Sequence, residues 1–572
     1  MSPVIPAEIL CQIFDLVDQK TVINCRLISR HVLPIATAFA FRHMRLEAAY
    51  EVDNFVNVAT SHLRHHVHEI TVDTWVGPDF KYHTNDNFWM PRNFWRALSY
   101  LRFFKKMKTL NLRFNKWCGA DSYMASISIE EDYDFRFVVL DIVFQCLAGT
   151  WSPERQVDQE HYLVMRVEGD NGTISTVPEG HSSASGFSDP GPIEISTLTI
   201  SNLADFNDQR LTTSEAFKQL MASDALTDLK LFVTTEEDTA SPESSIMFRE
   251  KYDFFETMPR TWLCPSVAQN LQVLSLFFRD YWGWSPKMDF RTINPANGLE
   301  TGLPNLRVLA LGNYVFSHHW QIEWIASAGE LNGHGGLQEL YLDDCPIMWQ
   351  ARAPAPLDDS KTVIELPAGG SLYLSNAGYP RKGAMRSVPD WRNSEKFTYD
   401  LRWHQILTHW REHMSSLKVL CMGHGSWFAE AVDLTLMVPS SPQDMERVPE
   451  LRLHRDSGWR QKLEDIRKRY EYRKQPVMDR VHLNYACPSP SDMLDEDNED
   501  LSRHHNGVGL AHERQHILQY IHFDIGLGPT QWIERDNSRA WFEEGNMEAY
   551  EHARKEDEAS YEALQAAVLQ RT

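Results

Sequence analysis

His512-Glu513-Arg514-Gln515-His516 satisfies H-E-x-x-H, a catalytic metal signature, in this chain of 572 residues. On a helix that spacing puts two imidazoles on one face to bind zinc, with the glutamate as general base. With 24 histidines available, chance supplies the pattern in roughly one such chain in fourteen. Arg514 and Gln515 are polar where a buried active-site helix carries apolar or small residues. No H-x-x-G-x-x-H extension follows, although His522 lies downstream and could be imagined as a third ligand. The better account is a short helix with exposed histidines, so neither a metal nor any other cofactor is expected. His65-His66-x-His68, His318-His319 and His504-His505 lack helical metal spacing. The basic stretch from Lys462 to Lys474 interleaves Glu464, Asp465 and Glu471, and reads as a salt-bridged exposed helix rather than a nucleic-acid site. No P-loop, G-x-G-x-x-G or G-x-S-x-G occurs.

Composition narrows the classes further. Charged residues make up 24% and hydrophobic residues 42% of the chain, as in an ordinary water-soluble folded protein. Acidic residues outnumber basic ones by 79 to 56, for a formal net charge of −23. Phosphates repel such a surface, which argues against nucleic-acid or anionic-membrane binding. No apolar run reaches the roughly 18 residues of a membrane helix. Glu8, Asp15 and Asp18 interrupt the N-terminal apolar stretch, so no signal peptide is expected. Eight scattered cysteines without a C-x-x-C pair make cytoplasm or nucleus the expected location.

The first forty-five residues are the most informative. Pro6 can start a helix without losing a needed N–H, and Glu8 suits its first turn. Ile9, Leu10, Ile13, Phe14, Leu16 and Val17 then form one broad apolar stripe. Residues 21–30 and 32–41 suggest two more short helices, with Pro34 near the start of the last. Three such helices cannot bury this apolar surface among themselves, and should borrow core from a partner or from the next domain.

The order I-P-x-E-I-L-x-x-I-F, then C-R-L-I-S-R, resembles the F-box, carried here by Ile5, Pro6, Glu8, Ile9, Leu10, Ile13, Phe14, Leu27, Ser29 and Arg30. The resemblance covers roughly residues 3 to 45. The tryptophan that many F-boxes carry near the module's end is absent, and residues 41–46 (F-R-H-M-R-L) stand there instead. The resemblance implies docking on a Skp-family adaptor, and through it a cullin, by Pro6, Ile9, Leu10, Ile13, Phe14, Leu27 and Ile28.

Beyond residue 67, four strict L-x-x-L-x-L pulses recur: Leu226-Leu229-Leu231, Leu271-Leu274-Leu276, Leu306-Leu309-Leu311 and Leu337-Leu340-Leu342. Chance gives roughly half a match in this length. Looser copies stand at Val67-Ile70-Val72, Met107-Leu110-Leu112, Ile195-Leu198-Ile200 and Leu417-Leu420-Met422. The pulses resemble leucine-rich repeats with irregular spacing, as in fungal F-box proteins with degenerate repeats. Helical return segments are expected at 92–106, 135–148 and 319–330. The expected fold is therefore α/β: a three-helix F-box over 1–46, an irregular leucine-rich-repeat-like solenoid over 47–487, and an acidic loop with a helical tail over 488–572. An ordinary α/β domain with unrelated buried strands is the alternative.

The function implied is a non-catalytic receptor that recruits a protein target to a ubiquitin ligase. The alternatives are an F-box scaffold outside any ligase, or a zinc hydrolase through His512, Glu513 and His516. If the leucines of each pulse point inward, strand alternation turns Lys230, Phe232, Phe277, Tyr341 and Asp343 outward. These residues are the expected target-binding set, with the three rings forming a solvated ladder.

Overall fold

In a computed structural model of the chain, residues 5–17, 19–48, 52–74, 83–84, 87–88, 92–114, 131–168, 191–235, 249–295, 302–343, 345–354, 356–366, 369–381, 394–423, 518, 520–524 and 544–571 are described. The H-E-x-x-H run, the Lys462–Lys474 stretch and the acidic run before residue 500 lie outside them. The described chain forms two compact units. The first comprises Met1–Asn115, Glu130–Ser201 and Asp208–Leu226, and the second Lys116–Ile129, Asn202–Asn207 and Thr227–Thr572.

The first unit begins with helices α1 (Ala7–Asp15), α2 (Gln19–Cys25) and α3 (Val32–Ala40). Pro34 falls in the first turn of α3, where its missing N–H costs no helical bond. Strands β1 (His43–Glu47), β2 (Glu69–Asp73), β3 (Thr109–Arg113) and β4 (Thr197–Ala204) follow, with α4 (Tyr133–Ala148) between the last two. Asp132 caps α4 by accepting from the Phe135 N–H, and Gly149 ends it in the left-handed region at φ 71°. Most side chains of α4 are buried on every side, chiefly apolar ones with Arg136, Asp141 and Gln145 among them. Its one deep carboxylate, Asp141, is held by Arg155 at 2.9 Å and Gln145 at 2.6 Å.

The second unit carries β5 (Asp228–Thr234), α5 (Arg249–Thr257), β6 (Val273–Trp282), β7 (Val308–Tyr314), β8 (Glu339–Asp343) and β9 (Ile347–Pro354). Further on come β10 (Lys361–Glu365), β11 (Ser371–Ser375), β12 (Ser394–Thr398), α6 (Trp403–His413), β13 (Val419–Gly423), β14 (Tyr520–Asp524) and α7 (Glu544–Arg571). Strand β9 pairs antiparallel with β12 and parallel with β14, while β10 and β11 form a hairpin.

Nine strands make one large sheet in the order β1-β2-β3-β4-β5-β6-β7-β8-β13, and the registered pairs among them are parallel. The eight leucine-type pulses mark eight of these strands. Leu229, Leu274, Leu309, Leu340 and Leu420 stand in one register row. The expected architecture is nevertheless corrected: the fold is a central nine-stranded parallel sheet with helices, an α/β fold, and not a three-helix F-box followed by a leucine-rich solenoid. The physical reason lies in burial. A parallel sheet is stable when both faces are covered, and β7 is buried at every position while β5 is buried at all but its first. The same apolar hexamer marks a strand in either architecture, so sequence alone did not separate them.

Return helices stand where expected, at Arg92–Leu98, α4 and His319–Ser327. The tail is helical, with Leu564 and Val568 of α7 buried. Among the described residues, no helix is long and apolar enough to cross a membrane. No group of three or more His, Cys, Asp or Glu among them stands together as a metal site would require.

Candidate functional site

The broad stripe of α1 divides in three dimensions. Leu10 and Phe14, spaced i, i+4, turn inward and build a small core with Val22, Ala36 and Ala40, and the half-buried Val17 packs against it. The Phe14 and Phe39 rings pack tilted at 5.8 Å between centroids. Ile9, Ile13 and Leu16, one residue out of phase, turn outward and keep 45%, 41% and 76% of their surface exposed. Leu27 and Ile28, in the turn after α2, are more open still, at 88% and 68%.

Polar ties hold this frame. Arg26 donates from Nε to the Thr37 hydroxyl at 3.0 Å and lies 5.0 Å from the Phe41 ring centroid. Asp15 and Arg42 form an exposed pair at 3.3 Å, which contributes little. Eight of the twelve large hydrophobic side chains exposed among the described residues fall between Ile5 and Leu33. Scattered exposed apolar residues are ordinary, whereas this concentration sets the N-terminal helices apart from the other described residues.

No family model matches the chain, and a search of the curated proteins finds no match.

Against the expected docking residues, the structure separates two roles. Pro6, Ile9, Ile13, Leu27 and Ile28 are exposed and free to meet a partner's surface. Leu10 and Phe14, 6% and 5% exposed, belong to the small core and hold the helices together. Ile5, Leu16, Ile23 and Leu33 are exposed apolar residues that the motif reading left out of the docking set. Leu16 continues the outward row of Ile9 and Ile13, while Ile5, Ile23 and Leu33 lie outside the α1 stripe altogether.

The expected target-binding set is arranged differently from the sequence reading. Lys230, Phe232, Phe277 and Tyr341 are all buried, at 5%, 3%, 1% and 0%. The solvated ladder is therefore corrected to a packed one. Phe232 and Phe277 are register partners with centroids 4.7 Å apart, and the next residue in their row is Gly312. A Cβ on Gly312 would stand 2.0 Å from Cδ2 of Phe277, so the missing side chain makes room for the ring. Tyr341 lies in the neighbouring row with Ala310 and Ser275, and donates to Oε2 of Glu339 at 2.9 Å. Asp343 pairs in register with Gly312 and Gly423 at the end of β8. Alternation along each strand was read correctly. What it could not carry is whether the second face is covered.

Proposed function

We propose that the chain is the substrate-recognition subunit of a Skp–cullin–F-box type ubiquitin ligase, working in cytoplasm or nucleus. The N-terminal helices would dock a Skp-family adaptor, and the rest of the chain would hold a protein target. The observation that carries this reading is the outward apolar set Ile9, Ile13, Leu27 and Ile28 on an internally packed frame, at positions that match the F-box pattern. Apolar area removed from water contributes about 25 cal/mol per Å2. A stable interface covers about 800 Å2 on each partner, which is why clustered aliphatic side chains suit it. No residue of this chain touches the ubiquitin chemistry. Its contribution is proximity, holding a target lysine where a bimolecular transfer becomes effectively intramolecular.

Tagged full-length protein, purified from its native cell and analysed by mass spectrometry, tests the reading. Adaptor and cullin should co-purify in near-stoichiometric amounts. Adaptor without cullin would favour a scaffold outside the ligase, and neither would remove the proposal.

A further inference from the structure

The second unit carries an open cavity of about 730 Å3, a size typical of small-molecule sites. Tyr252, Pro259, Pro295, Ile364 and Pro380 give it apolar walls, and Lys287 stands among the lining residues. A lysine half-withdrawn from water is costly unless something on site uses its charge. Its amine donates to Oδ1 of Asn376 at 2.5 Å and stands 3.5 Å from Oδ2 of Asp289. That carboxylate already accepts two bonds from Arg291, from Nε at 2.9 Å and from an Nη at 2.7 Å. Two cations therefore share one anion.

The other charged side chains of the lining balance, Arg260, Lys361 and Arg381 against Glu256, Asp358 and Glu365. Lys287 and Asp289 complete a neutral lining, and the extra positive charge is that of Arg291, which is bonded to Asp289 and lies outside the lining. An ammonium has three N–H donors, and the described residues supply Lys287 with two acceptors, the third side being closed in part by the Tyr379 ring at 4.4 Å. The Lys287 side chain keeps 24% of its surface open. Burial pushes its pKa down, which is the cost an incoming negative group would offset.

We propose that this cavity binds a small organic anion, its carboxylate or phosphate group paired with Lys287 and its apolar body against Tyr252 and Ile364. The site is independent of the N-terminal helices and goes beyond adaptor docking.

Calorimetry on full-length protein with four compounds tests it. Phenyl phosphate and benzoate carry both halves of the ligand, and their relative affinities distinguish a phosphate from a carboxylate head group. Inorganic phosphate carries the charge alone and benzyl alcohol the ring alone. One of the first two should bind one per chain, at least about tenfold more tightly than either half-ligand. Lys287→Met should weaken that binding by about tenfold or more. Thr362→Trp, on the half-exposed hairpin strand that lines the cavity, should block it and decides the matter alone if Lys287→Met fails to fold. The proposal is overturned if neither phenyl phosphate nor benzoate saturates, if inorganic phosphate binds as tightly as phenyl phosphate, or if binding survives the tryptophan.

Discussion

The N-terminal helices and the central sheet treat side chains in opposite ways. In the inner strands of the sheet, β2 to β8, both faces are covered, and even Lys230 and Glu339 are buried, at 5% and 9%. In the helices, isoleucines and leucines face water while a five-residue core holds the frame. A parallel strand has no side on which to leave a large apolar group cheaply, because crossing helices and loops cover both. Three short helices have no such cover, since their apolar surface exceeds what they can bury among themselves. Exposure, rather than apolar character, therefore separates the proposed docking surface from the interior that holds the fold.

Breaking the interior should have the largest effect. Phe277→Ala removes a ring packed on Phe232 and beside Gly312, and should cost about 3–5 kcal/mol in denaturant unfolding. A loss under about 1 kcal/mol would mean that this ring is not core, and the contrast with the helices would weaken.

A polar anchor of the second unit comes next. Asp557 of α7, 0% exposed, accepts from the Tyr520 hydroxyl at 2.7 Å and the His404 backbone N–H at 2.7 Å. Asp557→Ala strands both donors, at about 2–4 kcal/mol in total. Amide hydrogen exchange in α7 should quicken in this variant, and unchanged protection there would contradict the assigned anchor.

A smaller, pH-dependent effect follows at His318. Burial holds its pKa down at about 4, with the ring stacked on Tyr379 at 4.2 Å. A folded-state pKa below the unfolded 6.5 means that the neutral form is favoured on folding. Its contribution is complete above pH 6.5 and is lost as pH falls toward 4. His318→Gln should flatten the stability profile across that window, and parallel profiles for the two proteins would show that another group sets the acid sensitivity.

Much of the sheet was legible in the sequence, because Leu229, Leu274, Leu309 and Leu340 each sit in a short strand whose inward side chains repeat every second residue. Their in-register stacking was implicit in that shared shape. The covering of the second face was not legible: Lys230, Ser275 and Glu339 look the same in sequence whether solvated or enclosed. The division of α1 into inward and outward stripes was hidden for a related reason. Apolar residues at adjacent helical offsets carry no mark of which one meets its own module. The Lys287 cavity left no pattern at all, since its lining is drawn from α5, β10, the loops between them and the segment after β11.

The most direct test of the central claim is co-purification of a Skp-family adaptor with the triple variant Ile9→Ser, Ile13→Ser, Leu27→Ser. These side chains are exposed, so each change should alter stability by no more than about 0.5 kcal/mol, while capture of the adaptor should be lost. Adaptor recovery equal to that of the unmodified protein, at an unchanged melting temperature, would contradict the account.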